Sequence, residues 1–279
     1  MEAVYGFHLI VDLEVIKHFG EVIRIGGLIF MDTDRVLRLA LLAGEILMQS
    51  GSEIYRAEDT ARIISKSYGV NAECFFMPTG IFISGYGEDK KAISLMKRIT
   101  NRTVDLHRIE MINSFSRKIN KESISIEEAE RELHRISEYP YRNLSSMLIA
   151  AAFTASVYSL LFKGTIIDAL IAAPISAVIY LANSGISKIG FFQFFSLFVS
   201  GVIAGALAIF AKEVYPLVNI DKVIAGSIMI LVPGIAITSA IKDALKGDLV
   251  SSVARIGEAL LVVVAVGVGL GLMIIIGLH

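Results

Sequence analysis

Five stretches of the chain carry no charged residue for about the length needed to cross a bilayer, and all five lie in its second half. A membrane helix needs about 20 mainly apolar residues to cross a hydrocarbon core about 30 Å thick. Arg142 and Lys163 bracket the first run, Asp168 and Lys188 the second, Lys188 and Lys212 the third, Lys222 and Lys242 the fourth, and Glu258 precedes the last. The spacing predicts helices over 143–162, 165–187, 189–211, 223–241 and about 255–278. Only seven of the 26 basic and six of the 27 acidic residues fall beyond 142, so the front is a different kind of polypeptide. The expected fold class is a membrane protein, an N-terminal α+β cytoplasmic domain over 32–142 followed by an all-α bundle of five transmembrane helices over 143–279. With a net charge of −1 there is no basic field for nucleic acid. The single cysteine, Cys74, excludes an internal disulfide framework and a Cys-rich zinc site.

Five spans place the two ends on opposite sides of the membrane. Basic residues mark the cytoplasmic flanks. With the front domain inside, Arg131, Arg135, Arg142, Lys188, Lys242, Lys246 and Arg255 are cytoplasmic, and only Lys163, Lys212 and Lys222 are outside. The expectation is a multi-pass protein of the inner or plasma membrane. No secretory signal precedes the domain, because Glu2 and Asp12 flank a modest apolar run with no basic leader. Residues 1–31 are helix-compatible and of uncertain order, and Met31 is a possible alternative start.

Within the spans, Gly201 with Gly205 and Gly267 with Gly271 have the GxxxG spacing that lets helices approach closely, for ordinary packing or for self-association. Pro233-Gly234 falls in the middle of the fourth span, where proline removes a backbone donor and clashes with the preceding turn. Such breaks are either structural kinks or the midplane binding sites of secondary transporters, and Thr238 and Ser239 could add hydroxyls there. Pro174 is a weaker analogue in the second span. Charges near the membrane are the next candidates: Asp168, Asp243, Asp248, Arg255 and Glu258. Arg255 and Glu258 are spaced to pair on one helical face; the alternative is a proton-coupling role for Glu258.

In the front domain, Asp32 or Asp34 caps a helix running to about Gln49, and Ser50-Gly51-Ser52 ends it. A second helix follows and stops at Gly69. Strands over 72–77 and 81–84 form a hairpin around Pro78-Thr79-Gly80, with a third strand expected over 103–107 and helices over 108–120 and 126–138. The five histidines are dispersed, and there is no HExxH, GxSxG, Walker A or GxGxxG, so neither metal, cofactor nor enzyme chemistry is expected. Transport, if any, is driven by a gradient or a partner.

The run Ser50-Gly51-Ser52-Glu53-Ile54-Tyr55-Arg56-Ala57-Glu58-Asp59-Thr60 resembles the SGxExYRxExT pattern that opens the threonine/serine exporter family. A second match is Leu231-Val232-Pro233-Gly234, followed by Asp243, Gly247-Asp248, Arg255 and Glu258. The resemblance covers about 34–277. It implies an inner-membrane secondary, proton-coupled exporter of threonine, serine or another small polar metabolite. Full-length members carry a second membrane module; this chain resembles the larger subunit of split members, which work with a small four-helix membrane partner and are linked to dicarboxylates such as succinate as well as amino acids. The expected partners are therefore a small-molecule substrate, membrane lipid and that partner subunit, with self-association of the chain as a further option.

The motif residues Ser50, Gly51, Glu53, Tyr55, Arg56 and Glu58 have two readings. Glu53 with Arg56 and Glu58 with Arg62 sit at ion-pair spacing on a helix and could be a solvated face. Alternatively, Arg56 and Tyr55 bind a carboxylate, or the face docks on the Lys242 to Asp248 link and gates it. At the level of the whole chain, the alternative to an exporter is a membrane-anchored metabolite sensor or scaffold. A membrane-tethered hydrolase would need a nucleophile and base that the sequence does not display.

Overall fold

A computed structural model describes residues 24–25, 28–29, 33–86, 92–100, 102–140, 143–188 and 193–277. The helix-compatible reading of residues 1–31 and the alternative start at Met31 lie largely outside these residues. Two short pieces there, β1 (Arg24–Ile25) and β2 (Leu28–Ile29), pair antiparallel.

The N-terminal region runs α1 (Thr33–Gln49), α2 (Ile54–Ser67), β3 (Ala72–Met77), β4 (Gly80–Tyr86), β5 (Ala92–Arg98), α3 (Leu106–Lys121) and α4 (Ile126–Ser137). Apolar residues three and four apart on α1 bury Val36, Leu37, Ala40, Ala43 and Leu47, giving one face to the core. The three strands form an antiparallel sheet in the order β3-β4-β5, with Phe76 opposite Ile81 and Ile83 opposite Leu95. One side of the sheet buries Phe76, Ile81 and Ile83 against the helices. Arg35 clamps α1 to α4 by ion pairs to Glu127 at 2.7 Å and Glu130 at 2.8 Å. Ser125 caps α4 by accepting from the amide of Glu128. The thiol of Cys74 is buried, and its desolvation pushes the pKa up to about 11, so it is a core residue without thiolate character.

The third strand lies at 92–98, and the expectation of a strand over 103–107 is corrected. Backbone hydrogen bonding decides the matter. The amides of Thr103 and Asp105 donate to the carbonyls of Gln49 and Ser50, and the Asp105 carboxylate accepts from the amide of Arg108 and caps α3. A segment whose amides are taken by a neighbouring loop cannot also serve a sheet.

Beyond residue 143 the chain is helical: α5 (Leu144–Leu161), α6 (Ile166–Lys188), α7 (Gln193–Val214), α8 (Ile220–Ser227) with a 3₁₀ turn (Ile228–Leu231), α9 (Gly234–Leu245) and α10 (Leu249–Gly277). Four of these are long and apolar enough to cross a membrane, and a fifth crossing exists if α8 through α9 counts as one broken span. Their outer faces leave Ile149 70% and Phe153 69% exposed, which suits lipid and not water. The break falls where the sequence places it. Helical structure stops at Leu231, resumes at Gly234 after Val232 and Pro233, and the two halves are bent by 57°. Pro174 does not interrupt α6, which continues through it. A proline kinks a helix without ending it when neighbouring helices hold both halves.

The glycine pairs behave unequally. A Cβ on Gly201 would lie 2.4 Å from the carbonyl oxygen of Val266, and one on Gly205 2.8 Å from Met273, so α7 lies backbone to backbone on α10. Gly267 and Gly271, by contrast, face open space among the described residues; the close approach from α10 is made by Gly269, whose Cβ would sit 2.2 Å from the carbonyl oxygen of Phe198. The i, i+4 pattern on α10 is therefore not its packing face.

Candidate functional site

The loop between α1 and α2 is tightly held. Ser50 and Ser52 are buried, and Gly51 has a φ of +83°, with the carbonyl of Thr103 only 2.9 Å from where a Cβ would be. Any side chain there meets both a backbone penalty and a backbone atom. This turn delivers Glu53 to the N-cap of α2 in an extended conformation, but its carboxylate does not cap the helix. It turns outward instead, accepting from Lys242 Nζ at 2.9 Å and Arg56 Nη1 at 3.2 Å.

The uncapped N-terminus of α2 is served from the far part of the chain. Asp243 Oδ1 accepts from the backbone amide of Ile54 at 3.3 Å, and Asp243 is fully buried. Its other oxygen lies 3.1 Å from Arg255 Nε, and Arg255 Nη2 donates to the carbonyl of Ser52 at 2.7 Å. Around this centre, Glu258 pairs with Arg102, and Lys246 lies 5.4 Å from the centre of the Tyr55 ring. Asp248 accepts from the amide of Ser251 and starts α10. The turn at Gly247, with φ +91°, sets Asp243 and Arg255 facing each other across the α9–α10 link.

The electrostatics follow from burial and pairing. Burial pushes the Glu53 carboxyl up, but the Lys242 ammonium, its own amide and Arg56 outweigh that and hold it below the usual carboxylate range. Glu58 goes the other way: desolvation raises it despite the amide of Phe76, whose hydrogen bond at 2.8 Å ties β3 to α2. Glu58 thus fastens the motif helix to the sheet and stands apart from the ion pairs around Glu53.

The residues expected to form a site fall into two groups. Glu53, Tyr55, Asp243, Arg255 and, at the margin, Glu258 and Asp248 meet at the junction of the two regions. Pro233 and Gly234 lie at the start of α9, about 13 Å along the helix from Asp243, with Thr238 and Ser239 between them and Asp243, about one turn from it. There, Pro233 lines an apolar cavity of about 170 Å³ with Leu231, Val262, Val266, Gly267 and Leu270. Thr238 turns its hydroxyl back to the carbonyls of Gly234 and Ile235, and Ser239 is buried. The Arg255–Glu258 pair expected from helical spacing is corrected: Arg255 reaches Asp243 and Ser52, and Glu258 reaches Arg102. A buried guanidinium seeks a buried carboxylate and carbonyl, and its near neighbour along the helix is half exposed. Asp168 is buried and binds the amide of Asn219 at 2.8 Å and that of Thr165 at 2.7 Å, a structural tie between the starts of α6 and α8.

Arg102 and the amide of Ile54 are the participants that sequence reading missed. Neither carries a local signal, although docking of the motif face on the Lys242 to Asp248 link was one of the readings the sequence offered. Among the described residues no cluster of His, Cys, Asp or Glu could hold a metal. The chemistry this contact offers is recognition of charge.

These motifs coincide with a known family. The ThrE family model, described as "Putative threonine/serine exporter", matches residues 38–277. The chain belongs to this family. A protein named "Probable threonine/serine exporter" from Mycobacterium tuberculosis is 25% identical over 242 residues, 84% of this chain and 45% of the relative. The "Threonine/serine exporter" of Corynebacterium glutamicum is 25% identical over 238 residues, 81% of this chain and 48% of that protein. An uncharacterised protein of Schizosaccharomyces pombe is 21% identical over 235 residues, 80% of this chain and 28% of its own length. The chain thus spans about half the length of the two named exporters. No solved structure matches it. Membership of the threonine/serine exporter family accords with the apolar helices, which are those of a multi-pass membrane protein.

Proposed function

We propose that this chain is a subunit of a secondary, proton-coupled exporter of small polar metabolites, threonine and serine or a small dicarboxylate such as succinate, at the inner or plasma membrane. Its N-terminal region lies in the cytoplasm, and a small four-helix membrane subunit completes the transporter. The supporting observation is the meeting of two motifs 189 residues apart, Asp243 of the broken span with the Ile54 amide of the SGSEIYR turn. A polar surface on a cytoplasmic domain that touches the membrane helices through buried charges is placed to gate them. α10 has 29 residues, about 43 Å of helix, so its first turns extend beyond a bilayer core and carry Arg255 and Glu258 to that contact.

The pathway in this reading passes near the Pro233-Gly234 break, where the first amides of α9 have no helical partner, and Glu258 or Asp243 carries the proton. The test is flux of labelled threonine, serine and succinate in vesicles under an imposed pH gradient, with this chain alone and with candidate small membrane subunits. Flux only in the presence of a partner is expected, with Glu258→Gln inserting normally and losing dependence on the gradient. Absence of flux from a correctly inserted pair for all three compounds refutes the exporter reading.

A further inference from the structure

Lys242 and Asp243 are neighbours on α9, and they place an ammonium and a carboxylate against groups that are themselves neighbours, the Glu53 carboxylate at 2.9 Å and the Ile54 amide at 3.3 Å. An ammonium received by an anion and a carboxylate received by an amide and a guanidinium are the two charges that a free α-amino acid carries. The receiving groups are built and dry. Glu53 and Arg255 are each 8% exposed. They are also held without the help of α9: Arg255 by the carbonyl of Ser52 at 2.7 Å, Glu53 by Arg56 at 3.2 Å. The plug fits imperfectly, since among the described residues neither Asp243 Oδ2 nor Arg255 Nε has a well-aligned hydrogen-bond partner, although they lie 3.1 Å apart. A buried guanidinium donor is left for a better-placed carboxylate. The plug sits on a separate helical segment, set off by the 57° break after Leu231, and a hinge at that break is the motion that opening requires.

We propose that Glu53, the Ile54 amide and Arg255 form the cytoplasmic loading site for a free α-amino acid, held shut in this structure by Lys242 and Asp243 of the same chain. It rests on the exporter reading above and names where substrate first binds. The ammonium replaces Lys242 on Glu53, and the carboxylate replaces Asp243 between the amide and Arg255. Glu53 repels the second carboxylate of a dicarboxylic acid, so succinate is excluded at this point.

The experiment is equilibrium binding of labelled L-threonine and L-serine to the full chain in detergent, alongside flux in vesicles. Removing the plug with Lys242→Ala tightens binding about tenfold, as expected if the open form is about a tenth of the population. Glu53→Gln loses binding. L-Threoninamide, N-acetyl-L-threonine and succinate compete at least about tenfold less well than L-threonine; this comparison needs no substitution and is immune to misfolding. Equal competition by the blocked analogues overturns the site. So does flux at the unaltered rate in Glu53→Gln, which leaves the exporter reading standing, whereas no flux from the unaltered chain with its partner removes that reading first.

Discussion

The two hydrophobic cores are made of different side chains. Between α1–α4 and the sheet, large side chains are fully buried, Phe76, Phe115, Leu37, Leu47, Ile64 and Ile112, beside alanines such as Ala40 and Ala43. In the helical bundle the fully buried positions include Ala155, Ala172, Ala204 and Ala208 beside Ile179, Val218 and Val223, with Gly201 and Gly269 at backbone contacts. In water, burying a large apolar side chain is itself the driving force, at about 25 cal/mol per Å². In lipid that reward vanishes, because a leucine is as comfortable against an acyl chain as against another helix, and small residues that bring backbones together supply the contact instead. The difference explains why the first core reads clearly as amphipathic helices, whereas the helices of the second are apolar all round and show no single buried stripe.

The comparison can be broken most severely at Gly269. Gly269→Leu, with a backbone oxygen 2.2 Å from the position of the new Cβ, should abolish the correctly packed bundle, seen as loss of monodisperse protein in detergent. Gly267→Ala, two residues away and with nothing within 4 Å, should leave it intact; equal damage would mean the packing face is wrongly assigned. In the N-terminal core the large residue matters, and Phe76→Ala should cost about 3–5 kcal/mol in denaturant unfolding of that region.

The contact between the regions is sharpened by Asp243. Asp243→Ala should cost about 3–5 kcal/mol because it strands Arg255 in a buried place. The double variant with Arg255→Ala should cost less than the sum of the singles, and strict additivity would show that the two are uncoupled. The smallest effect concerns Glu53. Its carboxyl titrates below the usual range in the docked structure, so its contribution is fully present above the ordinary carboxylate pKa and is lost as pH falls through the lowered value. Limited proteolysis at the α1–α2 turn should therefore rise only once the pH is taken below the ordinary carboxylate range, and the step should vanish in Glu53→Gln. The Lys242 side chain is 56% exposed, so water screens the pair and the step is modest.

Much of the architecture was legible because it is written locally. The spans follow from gaps between charges, Ser125 announces α4, and Pro233 announces the break. The third strand was misplaced because 103–107 has strand-like composition, while Asp105 is in fact a cap whose neighbours bond to the α1–α2 turn. The motif face and the Lys242 to Asp248 link were legible as surfaces that could dock, but which group meets which was not. Helical spacing offered Arg255 to Glu258, three residues away; the structure gives it Ser52, 203 residues away.

The sequence alone determined which segments are apolar enough to lie in a membrane, where helices start and where one must break, since hydrophobicity, capping and the missing proline amide act over a few residues. Tertiary structure alone decided which glycines touch a neighbouring backbone, and that Asp243 and Arg255 serve the start of α2. Those outcomes depend on the approach of distant segments, and a buried charge takes whichever partner the packing leaves within reach.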